Sequence, residues 1–384
     1  MASRSPDEVV TIRRLPRVPA LDSIRGIAVV MVLLSHLWLV WPTWVFVEDF
    51  TQGGFLGVDL FFVLSGFLIT ALLLDEQART GRVRLLAFYG RRALRLFPAL
   101  WLLLGAHVVY SALTDYPPFG RSDFEWDNIE ASVLYWMNWR VLWNPLAAGD
   151  LSTLWSLAIE EQFYLVWPLA VLVVIGVRRR LINVTTFLVL AIVAVTVWRW
   201  FVFDRHGWQA AYLRTDTRID GLLWGALTAC LWVRGWTPRT LPRGLLWGAA
   251  ALAAVVFVNV EADGSFAYAG GLTLFVIAAS GVVLVLVSSP PRAAGPLGIA
   301  TQHLGRISYG LYLWQAPVFH AFERWGRFRW SNEVRAFGAI ATILACALVS
   351  RALVEAPALR LKARLSPPRA GVSGPDAPSP AVAG

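Results

Sequence analysis

The chain has 384 residues, of which 57% are hydrophobic and only 15% are charged, and its mean hydropathy is +0.57. One water-soluble core could not bury that much apolar surface, so the composition excludes an ordinary soluble domain. The net charge of +9 is spread over successive loops, which argues against a nucleic acid partner. Composition therefore predicts a polytopic helical protein whose surroundings are the lipid bilayer.

Ten apolar segments approach the roughly 20 residues that a helix needs to cross the hydrocarbon core. They run approximately from Ile27 to Val47, Phe55 to Leu74, Leu94 to Leu113, Thr153 to Val174, Leu181 to Phe203, Ile219 to Val233, Leu245 to Val260, Tyr268 to Val287, Ile307 to Phe322 and Val334 to Val354. The sixth segment is short, and we expect it to begin earlier, with Asp216, Arg218 and Asp220 already inside the bundle. The predicted fold is all-α, a transmembrane bundle of about ten spans.

The basic residues predict how this bundle is oriented. Most of the 34 Lys and Arg residues lie in the N-terminal segment and in alternate loops, which the positive-inside rule places in the cytoplasm. Both termini are therefore predicted to be cytoplasmic, in the inner (plasma) membrane of the cell. We expect residues 1–20 to form an inner tail, residues 21–360 the membrane domain, and the Pro- and Ala-rich residues 361–384 a disordered inner tail.

The two cysteines bear on metal and disulfide chemistry. Cys230 and Cys346 each lie within an apolar span. This placement supports neither a disulfide framework nor a zinc site. We therefore expect no metal site and no tightly bound cofactor.

Arg25 and His36 are eleven residues apart at the first predicted span. At about 100° per residue they share one helix face, separated by roughly 16 Å along the axis. This spacing predicts a cation at the inner membrane edge and an imidazole near the bilayer centre. Two interpretations stay open: a surface anchor with an interhelical hydrogen bond, or a functional pair.

Polar residues of other spans are predicted to converge at a similar depth. The fourth span carries Glu160, and the ninth carries Tyr309, Tyr312 and Gln315. A carboxylate at that depth is costly, so we interpret Glu160 as functional. Asp59 begins the second span, where a carboxylate can also complement the helix dipole.

Three arginines open the third span from the cytoplasm, namely Arg91, Arg92 and Arg95. They are consistent with a simple topology signal. Alternatively, their forked donors are suited to the phosphates of a cytosolic donor molecule. The sequence leaves both interpretations open.

These residues belong to an ordered series of motifs. The segments are 25–36, 57–67, 92–98, 156–164, 218–220, 307–314 and 354–357. In this order they resemble the acyltransferase 3 family of integral membrane O-acyltransferases, over about residues 20–360. The resemblance implies transfer of an acyl group, often acetyl, from a cytoplasmic acyl-CoA to a hydroxyl of a carbohydrate or other small hydroxylated acceptor. Acyl-CoA would then be a co-substrate and not a bound cofactor.

The resemblance also implies roles for individual residues. Arg25 and His36 match positions regarded as essential in the family, and Arg92 and Arg95 match the arginines linked to the donor. Many members have a histidine where this chain has Gln315, so proton acceptance is excluded there, although a hydrogen bond to substrate is possible. We assign the remaining polar motif residues to acceptor binding with this glutamine: Arg218, Asp220, Tyr309 and Tyr312.

The predicted mechanism uses His36 as general base on the acceptor hydroxyl while that oxygen attacks the thioester carbonyl. Either Glu160 or Asp59 would orient the ring and stabilise the imidazolium, and the sequence does not distinguish them. A covalent acyl-His intermediate is the chemical alternative. A transporter or flippase without acyl transfer, or a catalytically idle scaffold, would use the same polar residues differently. The acceptor, the acyl chain length and the oligomeric state are not readable from the sequence.

Overall fold

A computed structural model describes residues 13, 18–42, 52–114, 122–145, 148–178, 181–238, 240–291 and 293–365. Within these ranges the chain forms helices and contains no β-strand, so the prediction of an all-α bundle is confirmed. The predicted tails, residues 1–20 and 361–384, lie largely outside the described ranges. Their order and their side of the membrane stay predictions.

The α-helices of the described residues follow one another along the chain with short connections. They are α1 (Pro19–Ser35), α2 (Gly57–Thr80), α3 (Leu85–Thr114), α4 (Ser122–Val133), α5 (Met137–Trp143), α6 (Trp155–Arg178), α7 (Leu181–Leu213), α8 (Thr215–Arg218), α9 (Asp220–Val233), α10 (Arg243–Asn259), α11 (Leu272–Ser288), α12 (Pro296–Gly326), α13 (Asn332–Ser350) and α14 (Ala356–Leu365). Short 3-10 turns precede α2 and α6, at Gln52–Leu56 and Gly149–Leu154, and π-helical turns precede α11 and α14, at Ala267–Gly271 and Arg351–Glu355.

Seven helical stretches of the described chain are long and apolar enough to cross a membrane. Helices α9 and α10 are apolar but shorter, with 14 and 17 residues. Helix α12 is long but more polar, with Arg306, Tyr309 and Gln315 along it. The count of ten spans and the side of the termini therefore stay predictions.

Two helices begin earlier than their apolar segments suggest. Helix α1 begins at Pro19 and not near Ile27, and α12 begins at Pro296 and not near Ile307. A helix that enters a bilayer keeps its backbone hydrogen-bonded, so it continues through polar residues at which an apolar run stops. Arg25 consequently lies within α1 and not at its edge.

Helices α1 and α12 pack closely because glycines remove the side chains between them. A Cβ added to Gly26 would lie 2.0 Å from a carbonyl oxygen of α12, and one added to Gly305 would lie 1.8 Å from a carbonyl oxygen of α1. Gly66 of α2 and Gly225 of α9 bring those two helices together in the same way. Small residues allow such approaches in membrane bundles, where dispersion contacts hold helices together.

The short helices α4 and α5 are tied to α6 by a buried side-chain network. Gln162 Nε2 donates to the carbonyl oxygen of Tyr135 at 2.7 Å and to Asn138 Oδ1 at 3.1 Å. Gln162 Oε1 accepts from Thr215 Oγ1 at 2.5 Å. Tyr135 has a φ of +55°, in the left-handed region, so these contacts hold a strained turn against α6.

We predict that Gly305→Ala lowers the stability of the protein by about 1–3 kcal/mol, because overpacking must force α1 and α12 apart. The measurement is thermal unfolding of the purified protein in detergent. Gly90→Ala, in α3, is the matched control, since an added Cβ there meets no atom within 4 Å. Equal unfolding temperatures for the two variants would contradict the close packing.

Candidate functional site

A cavity lies among α1, α2, α3, α6 and α12. Each helix contributes polar side chains to its wall, and the apolar remainder comes mainly from α2. The polar lining consists of Arg25, Ser65, Arg92, Arg95, Ser156, Glu160, Ser308, Tyr309 and Tyr312. Glu160, Tyr309 and Tyr312 thus lie together, as their expected depth suggested, but they share this cavity with Arg25, Arg92 and Arg95 and not with His36.

Arg92 is the centre of the charged wall of this inner cavity. Its Nη2 lies 3.2 Å from Glu161 Oε1 and 3.8 Å from Glu160 Oε1. Its guanidinium carbon also lies 3.4 Å from the centroid of the Tyr164 ring. Arg92 therefore neutralises two carboxylates and is less available to a phosphate than the sequence suggests.

Glu160 is held by hydroxyl groups as well as by this arginine. Its Oε1 accepts hydrogen bonds from Ser65 Oγ and from Tyr164 OH. Tyr164 follows Glu160 by one helical turn, so α6 itself supplies one of these donors. The sequence does not predict a role for Ser65 or Glu161. Ser65 on α2 and Arg92 on α3 contact the glutamates of α6 only because these three helices are neighbours in the fold.

Arg25 and Arg95 differ from Arg92 in their contacts. Among the described residues, neither forms a hydrogen bond or has a carboxylate oxygen within 4 Å. At longer range Asp22 attracts the Arg25 guanidinium more than Glu160 does, and Glu160 also attracts Arg95. Two cations without a close counter-ion beside an open cavity are suited to binding an anionic ligand.

A second, larger cavity joins the first. The two cavities share six lining residues: Arg25, Ser65, Arg92, Arg95, Ser308 and Tyr309. The outer cavity is also lined by further arginines, namely Arg79, Arg84, Arg91, Arg306 and Arg351, and by Asp22, Asp75, Glu76 and Glu355. Arginines outnumber carboxylates there, so the outer cavity is a basic entrance to the inner one.

The tyrosines of α12 are fixed by hydrogen bonds to neighbouring helices. Tyr312 OH donates to the carbonyl oxygen of Thr153 at 2.7 Å, so Ser156 Oγ, 2.5 Å away, donates to the tyrosine oxygen. Tyr309 OH donates to the carbonyl oxygen of Leu96 at 3.0 Å. Gln315 is fully buried, and its amide has no partner among the described residues, which leaves a buried donor and acceptor unsatisfied.

His36 lies at the C-terminal end of α1 and does not line either cavity. Its Nδ1 lies 2.8 Å from the carbonyl oxygen of Val32 and 3.3 Å from Ser35 Oγ. A proton on Nδ1 satisfies the carbonyl and leaves Nε2 with a free lone pair. His320 of α12 is close enough to interact with the ring electrostatically.

The predicted carboxylate partners of His36 have other contacts in the described part of the chain. Glu160 is bound as above, and Asp59 Oδ2 lies 3.0 Å from Arg218 Nη2. The orientation of His36 by one of these carboxylates stays a prediction, and the observed partner of the ring is a backbone carbonyl.

Arg218 and Asp220 are buried in the bundle, as expected from the early start of the sixth span. Arg218 and Asp59 are 0% and 1% exposed, and the Arg199 and Asp220 side chains form a second buried pair. Neither Arg218 nor Asp220 lines the two cavities. Their predicted role in acceptor binding is therefore not supported by a shared space with the other site residues.

We predict that Arg92→Gln lowers the free energy of unfolding by about 3–5 kcal/mol, since it leaves two largely buried carboxylates without their shared cation. The double variant Arg92→Gln/Glu161→Gln should recover part of this loss. Arg79→Gln is the control, because its exposed pair with Asp75 contributes less than about 1 kcal/mol. Unfolding in detergent measures all three, and equal losses for the single and double variants would contradict the shared role of Arg92.

Comparison with known proteins gives independent support for the motifs. A family described as "Acyltransferase domain" matches residues 18–351. The O-acetyltransferase OatA of Staphylococcus aureus is 30% identical over 318 residues, which cover 78% of this chain and 50% of that protein. The peptidoglycan O-acetyltransferase OatA of Listeria monocytogenes is 32% identical over 319 residues, covering 78% and 49%. The putative peptidoglycan O-acetyltransferase YrhL of Bacillus subtilis is 32% identical over 320 residues, covering 78% and 48%.

The chain spans about half the length of these curated relatives. No solved structure matches it. The family match covers all the helices that form the inner cavity and all of the outer cavity's lining except Glu355 and Leu359. This chain therefore belongs to the acyltransferase 3 family that its motifs predicted.

Proposed function

We propose that this chain is a membrane O-acyltransferase. It would move an acyl group, with acetyl as the first candidate, from a cytoplasmic acyl-CoA to a hydroxyl of a carbohydrate or small hydroxylated acceptor. The observation that carries this proposal is the pair of connected cavities, in which a basic entrance leads to a carboxylate held inside the bundle. Two of the relatives are named as peptidoglycan O-acetyltransferases, which favours a glycan acceptor.

The donor would enter through the basic outer cavity. Arg25 and Arg95 lie where the two cavities meet and have no close counter-ion among the described residues. Guanidinium groups bind phosphate oxygens through paired, charge-assisted hydrogen bonds. The diphosphate of acyl-CoA would be held at this junction, and its pantetheine arm would extend into the inner cavity.

Arg92 has a different role in this proposal from the one that the sequence suggested. Its contacts with Glu160 and Glu161 compensate two charges that would otherwise be costly inside the bundle. The arginine would shape the inner cavity and contribute to the positive field that attracts the donor. Direct phosphate binding would fall mainly to Arg25 and Arg95.

His36 is the proposed general base. Its Nε2 would take the proton from the acceptor hydroxyl as the hydroxyl oxygen attacks the thioester carbonyl. The tetrahedral intermediate would then release the CoA sulfur, which takes the proton back from the imidazolium. The hydrogen bond from Nδ1 to Val32 would hold the ring in the required tautomer. Since His36 lies roughly 16 Å from Arg25 along the helix, the acyl end must extend beyond the inner cavity.

The acceptor would approach from the C-terminal ends of α1 and α12, on the side opposite to the donor. Gln315 supports this placement, because its buried and unpartnered amide can form hydrogen bonds with a hydroxylated molecule. Tyr309 and Tyr312 line the inner cavity and would border the path of the acyl group. Arg218 is paired with Asp59 and Asp220 with Arg199 inside the bundle, so these two residues would position helices and would not touch the acceptor.

We expect His36→Ala to lower acyl transfer at least 100-fold, the usual lower range for loss of a general base. Purified protein would be incubated with radiolabelled acetyl-CoA and a pool of peptidoglycan fragments and lipid-linked sugars. His206→Ala, an exposed histidine of α7, is the matched control and should retain wild-type transfer. Transfer at the wild-type rate by His36→Ala would refute the role of His36 as general base. Absence of any acetylated product with wild type would refute the proposed acyltransferase activity.

Incubation of wild type with labelled acetyl-CoA and no acceptor separates direct transfer from the covalent route. Direct transfer predicts no label on the protein after denaturation, since no acyl-enzyme forms. Peptide mapping by mass spectrometry is the measurement. An acetyl group on the His36 peptide would replace the direct mechanism by an acyl-His intermediate.

A further inference from the structure

The arginines of the outer cavity fall into two classes by their contacts. Arg79 pairs with Asp75 at 2.9 Å, and Glu76 lies within 4 Å of two further arginines. Arg306 and Arg351 line the same cavity, and neither has a carboxylate oxygen within 4 Å among the described residues. Two positive charges of the outer cavity are therefore not neutralised by ion pairs.

A side-chain to backbone hydrogen bond joins these two arginines. Arg351 Nη1 donates to the carbonyl oxygen of Arg306 at 2.6 Å, which holds its guanidinium beside α12. The remaining nitrogens of Arg351 and the whole Arg306 guanidinium stay available to a ligand. Glu355, the nearest carboxylate along the chain, accepts from Ser350 Oγ at 3.0 Å and attracts Arg351 only at longer range.

The position of this pair differs from that of the junction arginines. Arg25 and Arg95 line both cavities, whereas Arg306 and Arg351 line only the outer one. The arginines without close counter-ions are thus arranged in two groups, one at the junction and one in the entrance. A ligand that satisfies both groups must carry two separated anionic groups.

We propose that Arg306 and Arg351 bind the 3′-phosphomonoester of the donor's ribose. This inference rests on the proposed function, in which acyl-CoA is the donor. Acyl-CoA carries a diphosphate next to its pantetheine arm and a separate phosphomonoester on the ribose. With the diphosphate at Arg25 and Arg95, the nucleoside lies in the outer cavity and its phosphomonoester reaches the entrance pair. The subsite therefore selects the complete coenzyme over a donor without the 3′-phosphate.

A phosphate group could also come from the headgroup of an anionic lipid, because both arginines are accessible near the entrance. The two sources share the same guanidinium–phosphate chemistry. If the phosphate belongs to the donor, the two arginines determine which donor is recognised. If it belongs to a lipid headgroup, they interact with the bilayer whichever donor is present.

The test compares acetyl-CoA with acetyl-3′-dephospho-CoA in the wild type and in Arg306→Gln/Arg351→Gln. We expect the double variant to raise the KM for acetyl-CoA roughly tenfold or more, the loss expected for charge-assisted hydrogen bonds. Its kcat, and its KM for the dephospho donor, should stay at the wild-type values. Arg79→Gln, in the same cavity but already paired with Asp75, is the control and should keep the wild-type ratio of KM values.

Two results would overturn the subsite. An unchanged KM for acetyl-CoA would exclude a contact with the donor. An equal rise in the KM for both donors would show that the two arginines act in folding. If that rise depended on anionic lipid in nanodiscs, the two arginines would instead be assigned to the bilayer. If wild type turned over neither donor, the proposed function would fail, and calorimetric binding of CoA and 3′-dephospho-CoA would decide the subsite by the same comparison.

Discussion

The ion-pair network around Arg92 is the interaction on which the site depends. Hydrocarbon offers no water to charged groups, so each buried charge must find a counter-ion or border a hydrated space. Arg92 meets this requirement for Glu160 and Glu161 together, and its flat face lies against Tyr164. The network allows Glu160 to face the inner cavity while it shares one cation with Glu161.

The same constraint distributes the other buried charges. Asp59 pairs with Arg218 away from the two cavities, and Arg199 pairs with Asp220, although each pair leaves some buried polar atoms without a hydrogen-bond partner in the described part of the chain. Pairs of this kind contribute little net stability, but breaking one is costly, so they favour one arrangement of the helices. Arg25, which has no such partner, instead borders the cavities.

Helix α1 connects the two ends of the proposed reaction. It carries Arg25 at the junction of the cavities and His36 at its C-terminal end. Close packing of Gly26 and Gly305 fixes this helix against α12, which supplies Tyr312 to the inner cavity. A change in that packing would therefore affect the donor-binding groups and the proposed base together.

Some parts of the site could be predicted from residue spacing and others could not. The placing of Tyr309 and Tyr312 beside Glu160 followed from depth, because helical rise relates position in the chain to height in a bundle. The same argument placed Glu160 with His36 and away from Arg25, whereas the structure places Glu160 in one cavity with Arg25 and Arg95. The contacts of Glu160 did not follow, since depth says nothing about which helices are neighbours. His36 lies at the end of α1 and not midway along a span, because the helix ends at Ser35 while the apolar segment runs on to Val47.

The sequence by itself determined the membrane class, the helical fold and the family, because apolar run length, charge distribution and ordered motifs are local properties of the chain. Tertiary structure alone decided which cations are paired and which border open space. Arg92 and Arg95 are three residues apart on one helix, yet only Arg92 reaches the carboxylates of α6. That difference depends on how neighbouring helices are rotated and how closely their glycines let them approach, and no single helix records either quantity.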